Sequence, residues 1–555
     1  MTTAIDSTRA INGLYMLFCS ALLPLVVIGV ACFYSGLTQR RSSMTMLALP
    51  VMLLLLVMLD WFIWGYSLCY STSSNRFIGN LDFAVLRQLR DSINEVYINR
   101  RGEILFLNHF MFNGLFKVIC TAITFPGCIA ERGRLLPMLV FLFFWSCIIY
   151  NPVTYWFWNK NGWLSVDLNI FPVLDFAGGT CIHIVGGFTT LAYSYILGHR
   201  NPKVLVDYRN SNTGFIIIGT LLITLGWVGF ISGCDFQFST TSLFIFVNTL
   251  LSACAGGVTW GVIDFYFSAM PLDGTSENKV FEEVHKITAT LSRSSRNVRE
   301  FANTLKPFIK RKASMISFCS GVIAALVAYT PGGGYIASPS EFWKSILFGV
   351  IGSVICNIST RLKYFFGIDD ALDIFAIHGV AGIVGSLLTG IFANKSYGAA
   401  GGWIQRNWIQ LAYQVLGCVV TAAYVFILSC FFLYIIDIIP GLHLRIDKSY
   451  NKRVRKLNQM KKSTTMDSEL QSTSANIEVN SDDTFGETLE LLGTDYCEFG
   501  EYMNDYVEFI KVIRPDDFVS ELDSEGTRIE DIGHTSDFAM IHENKPHQIV
   551  RDPCL

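Results

Sequence analysis

Charged side chains are scarce in this sequence. Only 16% of its 555 residues are Asp, Glu, Lys or Arg, whereas 51% are hydrophobic and 14% are aromatic. A soluble globular chain of this size does not need so much apolar side chain, and the apolar residues recur in runs of about 20, the length that spans a bilayer as a helix. The composition therefore excludes an ordinary soluble protein and predicts an all-α, polytopic membrane protein in contact with the lipid bilayer.

Paired cysteines, catalytic constellations and metal-ligand spacings are also missing. The fifteen cysteines are scattered singly, mostly inside apolar segments such as those around Cys120 and Cys254, so they predict neither disulfides nor a metal site. No nucleophile–base set and no phosphate-binding loop occurs in the sequence. We therefore expect no enzyme activity, no cofactor and no nucleic-acid partner.

Apolar segments of spanning length recur along most of the chain. We predict eleven transmembrane helices, a 5+5 inverted repeat plus a long eleventh helix, near residues 14–36, 44–70, 104–130, 136–158, 173–197, 213–233, 241–268, 314–330, 342–359, 371–393 and 408–438. The excess of Lys and Arg in alternate loops predicts an N-terminus outside and a cytosolic C-terminus. The loop at 71–103 breaks this pattern, because it is predicted outside and carries five arginines.

Two domains follow from the change in composition along the chain. Residues 1–440 are predicted to form the membrane domain, with an extended cytosolic loop at 269–313. Residues 441–555 are predicted to form a cytosolic regulatory tail, polybasic and then acidic, and largely disordered. The basic part is expected to lie against anionic lipid headgroups.

Two apolar segments echo each other five spans apart. LDFAGGTCIHIVGGFTTL contains Asp175 and His183, and ALDIFAIHGVAGIVGSLLTG contains Asp373 and His378. Ionisable residues inside spans usually serve function, and matched positions in two repeats are typical of transporters with a site near the midplane. The small residues that follow each histidine allow the helices to cross closely, so we expect the two imidazoles to meet. The alternative is that each histidine only bonds a backbone carbonyl.

A series of further stretches carries a family resemblance. They are FYSGL, DWFIWGYSL, FIGNLD, IAERGR, NGW, GWVGF, TPGGGYI, DDALDIFAIHGVAG and IPGLHLR, in this order within residues 10–445, followed by LELLGTDYCEFGEY in the tail. Together they resemble the ammonium transporter family (Amt/Mep/Rh), most closely its fungal Mep branch. The resemblance implies a plasma-membrane homotrimer, or a mixed trimer with homologous subunits, with one narrow pore per subunit. Ammonium would be recruited at an outer vestibule and deprotonated, and NH₃ and H⁺ would cross separately.

The resemblance also implies roles for single residues. His183 and His378 match the twin pore histidines, and Asp175 matches a buried carboxylate that orders the pore near the recruitment site. Trp158 matches the vestibule tryptophan that attracts ammonium through its ring, although an interfacial anchor is the alternative for this residue. Phe230 matches the inner of two stacked gate phenylalanines.

Three positions depart from the family pattern. Ile231 and Cys234 replace the asparagine and serine that usually follow the gate motif, and a cysteine is a weaker hydrogen-bonding group than the recruitment-site serine. An ungapped count from the IAERGR motif places Gly114 where the family has a glutamine, and it places Lys117, three residues later, at the outer gate. A one-residue shift would place Phe116 there, but it would break the match to that motif; we predict Lys117.

A lysine at the gate leaves three interpretations open. Lys117 points off the pore axis and pairs with an acceptor such as Asn113. Alternatively, its ammonium mimics the substrate against Trp158 and repels free ammonium. In the third interpretation a neutral lysine accepts the proton that ammonium loses. The predicted function is therefore ammonium transport, with a weakly or non-transporting ammonium sensor or regulatory subunit as the alternative.

Overall fold

Long helices dominate the computed structural model, which describes residues 2–72, 75–89, 96–99, 101–205, 208–267, 270–271, 309–310, 313–448 and 489–500. Within these ranges we number the longer helices α1 (Thr2–Leu37), α2 (Arg40–Tyr70), α3 (Phe106–Ile129), α4 (Leu135–Trp158), α5 (Gly179–Leu197), α6 (Thr213–Ser232), α7 (Thr240–Phe267), α8 (Met315–Tyr329), α9 (Phe342–Ser359), α10 (Phe375–Phe392) and α11 (Ile409–Ile438). Two short antiparallel hairpins pair β1 (Val96–Asn99) with β2 (Gly102–Leu105), and β3 (Met270–Pro271) with β4 (Ile309–Lys310).

Ten of the described helices are long and apolar enough to cross a membrane. The remaining one, α8, lies where the eighth span is predicted but has only 15 residues. At 1.5 Å per residue it is about 22 Å long, which is less than the hydrocarbon thickness of a bilayer. The chain is thus a multi-span helical membrane protein, whereas the count of eleven spans and the orientation of the termini stay predictions.

Glycines bring the corresponding helices of the two halves into close contact. A Cβ atom on Gly29 of α1 would lie 2.7 Å from the carbonyl oxygen of Gly219 in α6, and a Cβ on Gly219 would lie 2.6 Å from the carbonyl oxygen of Gly29. Likewise, a Cβ on Gly187 of α5 would lie 2.3 Å from the Cα atom of Gly379 in α10. These contacts pair the first helices, and then the fifth helices, of the two predicted repeats.

An ion-pair network connects the two halves outside the spanning segments. The Arg200 guanidinium bonds both carboxylate oxygens of Asp369 at 2.9 Å and Glu131 Oε2 at 2.8 Å. Burial disfavours the charge of Asp369, but the hydrogen bonds from Arg200 and the nearby Arg132 outweigh it, so the pKa of this carboxyl lies well below its usual range. Glu131 and Arg132 belong to the IAERGR motif, which therefore has a structural role here.

Residues 489–500 of the predicted tail return to the helices. The side chains of Arg445 and Glu490 form a buried ion pair with an Nε–Oε1 distance of 2.6 Å. The carboxylate of Asp495 accepts bonds from the backbone N–H groups of Met44 and Thr45 at the start of α2, and Glu498 accepts one from Leu135 N at the start of α4. Carboxylates at these positions complement the unpaired N–H groups of a helix start.

Several predicted features lie outside the described residues. The cytosolic loop at 269–313 is described only at β3, β4 and residue 313, so most of this loop is not covered. The same holds for the polybasic residues after Lys448 and the tail after Gly500. Arg445, the first residue of the basic segment, is only 4% exposed and bonds Glu490, so it is not a lipid-facing cation.

Candidate functional site

The two histidines meet at the crossing of α5 and α10. Their Nδ1 atoms are 3.2 Å apart, and the ring centroids are separated by 5.3 Å at an angle of 26°. His183 is fully buried and His378 is 4% exposed. The contact requires a glycine at the crossing, because a side chain on Gly187 would push the backbone of α10 at Gly379 away.

Each histidine lies in a π-helical turn at the start of its helix. His183 belongs to Gly179–Ile184 and His378 to Phe375–Val380. Such turns are rare and often occur at functional sites, since they shift the side chains that follow off the regular helical face. The ring of His183 also stacks on Trp227 at 5.4 Å and 7°, and its Nε2 atom is buried without a hydrogen-bond partner among the described residues. This nitrogen is therefore available to a small hydrogen-bonding molecule.

Asp175 holds the start of α5 in place. Its Oδ1 accepts the N–H groups of Gly178 and Gly179 at 2.7 and 2.8 Å, and its Oδ2 accepts those of Thr180 and Cys181 at 2.8 and 3.2 Å. One buried carboxylate thus satisfies four backbone donors at a helix start. Because α5 begins only at Gly179, and not at the predicted residue 173, these donors need such a partner. Asp175 fixes the turn that carries His183.

Two stacked phenylalanines lie beside the histidines. The rings of Phe116 in α3 and Phe230 in α6 are 4.2 Å apart and nearly parallel, at 16°. Phe230 also contacts Trp227, whose ring stacks on His183. An aromatic pair therefore closes the space next to the imidazoles. The ring that α3 contributes to this pair is that of Phe116.

The placement of Lys117 at this gate is wrong. Its ammonium lies between α2 and α4, where it bonds Asp60 Oδ2 at 2.5 Å, Ser146 Oγ at 2.7 Å and Asn151 Oδ1 at 2.9 Å. Successive residues of a helix point about 100° apart, so a one-residue error in an ungapped count exchanges a pore-facing ring for an off-axis cation. Of the three interpretations, the off-axis one matches the geometry, although the partner is Asp60 and not Asn113.

The same one-residue correction applies one turn earlier. Gly114 packs against the indole of Trp61, where a Cβ atom would lie 2.7 Å from Cδ1. Asn113, and not Gly114, lies three residues before Phe116 and lines the cavity beyond the gate. Its side chain bonds Tyr70 Oη and the carbonyl oxygen of His109. A polar residue is thus present where the ungapped count gives a glycine.

A cavity of about 640 Å³, including the space that opens to solvent, lies on the far side of Phe116 from Phe230; we call it the vestibule. Its lining includes Phe116, Trp158, Asp175, Phe176 and Cys234, so it brings together several residues that the sequence singled out. The Trp158 indole N–H donates to the carbonyl oxygen of Asp175 at 3.1 Å, and its ring contacts Phe116 at 5.8 Å. Trp158 is therefore a vestibule residue rather than an anchor in the lipid interface. Ile231 does not line this cavity and packs against Gly333 instead.

Sequence reasoning missed Arg101, which reaches into the vestibule from the turn between β1 and β2. Its guanidinium donates to the carbonyl oxygens of Phe176 at 2.8 Å, Cys234 at 3.2 Å and Asp175 at 3.3 Å. It also lies 4.5 Å from the centroid of the Phe176 ring. The available signal was the arginine-rich loop at 71–103, which did not fit the distribution of charge between the loops.

His109 lines the same cavity, where its ring stacks on Tyr97 at 4.0 Å and its Nδ1 atom lies 3.1 Å from Tyr66 Oη. Tyr97 belongs to β1, so the hairpin of β1 and β2 contributes both an aromatic ring and a cation to the vestibule. The sequence offered no indication of this arrangement.

Comparison with known proteins gives the same assignment throughout. The model of the Ammonium Transporter Family matches residues 14–273 and 299–463. Ammonium transporter 1 of Schizosaccharomyces pombe is 36% identical over 444 residues, 78% of each chain, and ammonium transporter MEP1 of Saccharomyces cerevisiae is 32% identical over 461 residues, 80% of this chain and 82% of that one. The crystal structure of Candida albicans Mep2 superposes with a TM-score of 0.65 at 30% identity, covering 79% of this chain and 87% of that chain. The chain belongs to the Ammonium Transporter Family.

Proposed function

We propose that this protein is a plasma-membrane transporter that passes ammonium through the pore marked by His183 and His378. The contact between the two imidazoles, next to the Phe116–Phe230 pair and beyond it the vestibule, carries the proposal. The chain of contacts from the vestibule through Phe116 and Phe230 towards His183 supports recruitment of NH₄⁺, its deprotonation and separate passage of NH₃ and H⁺. Family membership supports ammonium as the substrate, eleven spans with a cytosolic C-terminus, and a trimer.

The chemistry of each part fits a small cation that loses a proton. Aromatic faces and carbonyl oxygens in the vestibule attract a cation and accept its N–H groups. The stacked phenylalanine rings exclude hydrated ions, because they offer no hydrogen-bonding groups. Beyond them, two facing imidazoles can pass a proton between their nitrogens, and the free Nε2 of His183 can bind a neutral amine.

Uptake of methylammonium by cells that lack their own ammonium transporters tests this function. The wild type should support uptake and growth on limiting ammonium. His183→Ala and His378→Ala should each lose most of the uptake at equal surface expression, whereas His443→Ala, outside the pore, should not. Wild-type expression at the cell surface without any uptake would contradict transport.

The second candidate is a weakly or non-transporting sensor or regulatory subunit, alone or in a mixed trimer. Two observations favour it: the Arg101 cation already occupies part of the vestibule, and the tail segment 489–500 contacts the starts of α2 and α4. Absent uptake, together with an ammonium-dependent change in the uptake of a co-expressed relative, would distinguish this function from transport.

A further inference from the structure

The vestibule already holds a cation that belongs to the chain itself. Arg101 comes from the turn of the β1–β2 hairpin, in which Asn99 pairs with Gly102. Its guanidinium bonds three carbonyl oxygens, those of Asp175, Phe176 and Cys234. No described element other than this hairpin contributes an arginine or lysine to the lining of the cavity.

The contacts of Arg101 are those that a bound ammonium ion would need. A small cation in this cavity would seek carbonyl oxygens for its N–H groups and an aromatic face for its charge. The guanidinium uses both, because it lies 4.5 Å from the Phe176 centroid and 5.9 Å from that of Phe236. Two cations in one partly desolvated space repel each other, so an entering cation must displace Arg101.

We propose that Arg101 is an intramolecular competitor of external ammonium, held in the vestibule by the β1–β2 hairpin and displaced when the substrate binds. The proposal rests on ammonium as the substrate of this pore. A tethered cation at short range acts at a high effective concentration, so it lowers the apparent affinity for the free ion. If Arg101 occupies the site in most molecules, its removal raises that affinity about fivefold or more.

The β1–β2 hairpin holds the arginine at the vestibule. β1 and β2 form a two-stranded sheet, and Tyr97 of β1 stacks on His109 of α3. An incoming cation offers N–H groups to the same three carbonyl oxygens, so it can replace the bonds that the guanidinium makes to them.

Binding of methylammonium to the purified full-length protein tests the competition independently of transport. The ligand concentration that gives half of the thermal stabilisation is measured for the wild type, Arg101→Gln, Arg101→Lys and Arg87→Gln at constant ionic strength. Arg87 is the matched control, since it is an exposed arginine of the same loop that bonds the carbonyl oxygen of Leu81. Arg101→Met, which keeps the apolar stem, replaces Arg101→Gln if the latter does not fold.

Arg101→Gln should lower the half-stabilising concentration about fivefold or more, whereas Arg87→Gln should leave it within about twofold of the wild type. Arg101→Lys keeps the charge and should stay nearer the wild type. An unchanged or weaker affinity in Arg101→Gln, the absence of any stabilisation in it, or an equal gain in Arg101→Lys would overturn the proposal.

Uptake by the same variants separates this proposal from the proposed function. Tighter binding in Arg101→Gln without uptake by any variant would contradict transport and retain the competition. Wild-type uptake with an affinity that does not respond to Arg101→Gln would overturn the competition and retain transport.

Discussion

The ring of Phe116 stacks on that of Phe230 at 4.2 Å. Neighbouring Lys117 is fully buried and bonds Asp60 outside the gate. The proposed gate is therefore aromatic on both sides, and the charge on Lys117 of α3 belongs to a packing cluster with α2 and α4. The cation that lines the vestibule is Arg101, and not Lys117.

Lys117→Met should destabilise the fold rather than alter the gate. It leaves the partly buried carboxylate of Asp60 without its cation, a loss that costs about 3–5 kcal/mol in buried pairs. The melting temperature of the purified protein should fall, and the double variant Asp60→Asn/Lys117→Met should recover part of the loss. A normal melting temperature together with an altered affinity for methylammonium would instead indicate that Lys117 acts in the pore.

Phe116→Ala should change transport, whereas Phe125→Ala should not. Both rings are buried in α3, and loss of a buried phenylalanine ring costs about 3–5 kcal/mol. Phe125 packs against Phe141 and Trp145, away from the vestibule, so it controls for stability. The half-saturating methylammonium concentration, measured at equal surface expression, should shift only for Phe116→Ala; equal behaviour of the two variants would contradict a gate at Phe116.

Asp175→Asn should lose both stability and transport. The single amide oxygen of asparagine cannot accept four backbone N–H groups as the carboxylate does, and the NH₂ group of the amide would face other donors. Each hydrogen bond to the charged carboxylate contributes about 1.5–3 kcal/mol to stability. Since the same turn carries His183, uptake should fall along with the melting temperature. Asp167→Asn removes a carboxylate from the same cavity but not from the helix start, and it should retain more than half of the uptake.

The Arg200–Asp369 pair should stabilise the protein at neutral pH and fail only in acid. The pKa of Asp369 is depressed in the folded state, so the unfolded chain binds the proton more tightly and the contribution is fully present above the unfolded pKa of about 4. The difference in melting temperature between the wild type and Asp369→Asn should stay constant from about pH 5 to 8 and shrink as the pH falls below about 4. A difference that grows towards acid pH would contradict the depressed pKa.

Glu490→Gln should release the tail segment from the helices. The variant removes the carboxylate partner of buried Arg445, and breaking such a pair costs about 3–5 kcal/mol. Hydrogen exchange at Met44, Thr45 and Leu135, whose N–H groups bond Asp495 and Glu498, should then accelerate about tenfold or more. Glu103→Gln, which breaks the exposed pair with Arg9, is the control and should leave these amides unchanged. If the segment regulates the pore, Glu490→Gln and deletion of residues 446–555 should change uptake in the same direction.

The sequence alone determined the class of protein and the place of most helices, and it singled out His183, His378 and Asp175 as candidate site residues. Hydrophobic runs mark spans because a helix must cover the bilayer, and ionisable residues within them are rare enough to identify by inspection. Neighbouring residues are sufficient for these inferences, because each motif lies within a single apolar segment.

Only the tertiary structure decided which side chains face the pore. A helix turns about 100° per residue, so a single-residue error exchanged Phe116 for Lys117, and no pattern within α3 distinguishes the two faces when all but four of its residues are buried. The partner of Lys117 is 57 positions away, and Arg101 meets acceptors more than 70 residues further along the chain. Such contacts depend on how distant segments pack together, and that packing placed the arginine, not the lysine, in the path of a cation.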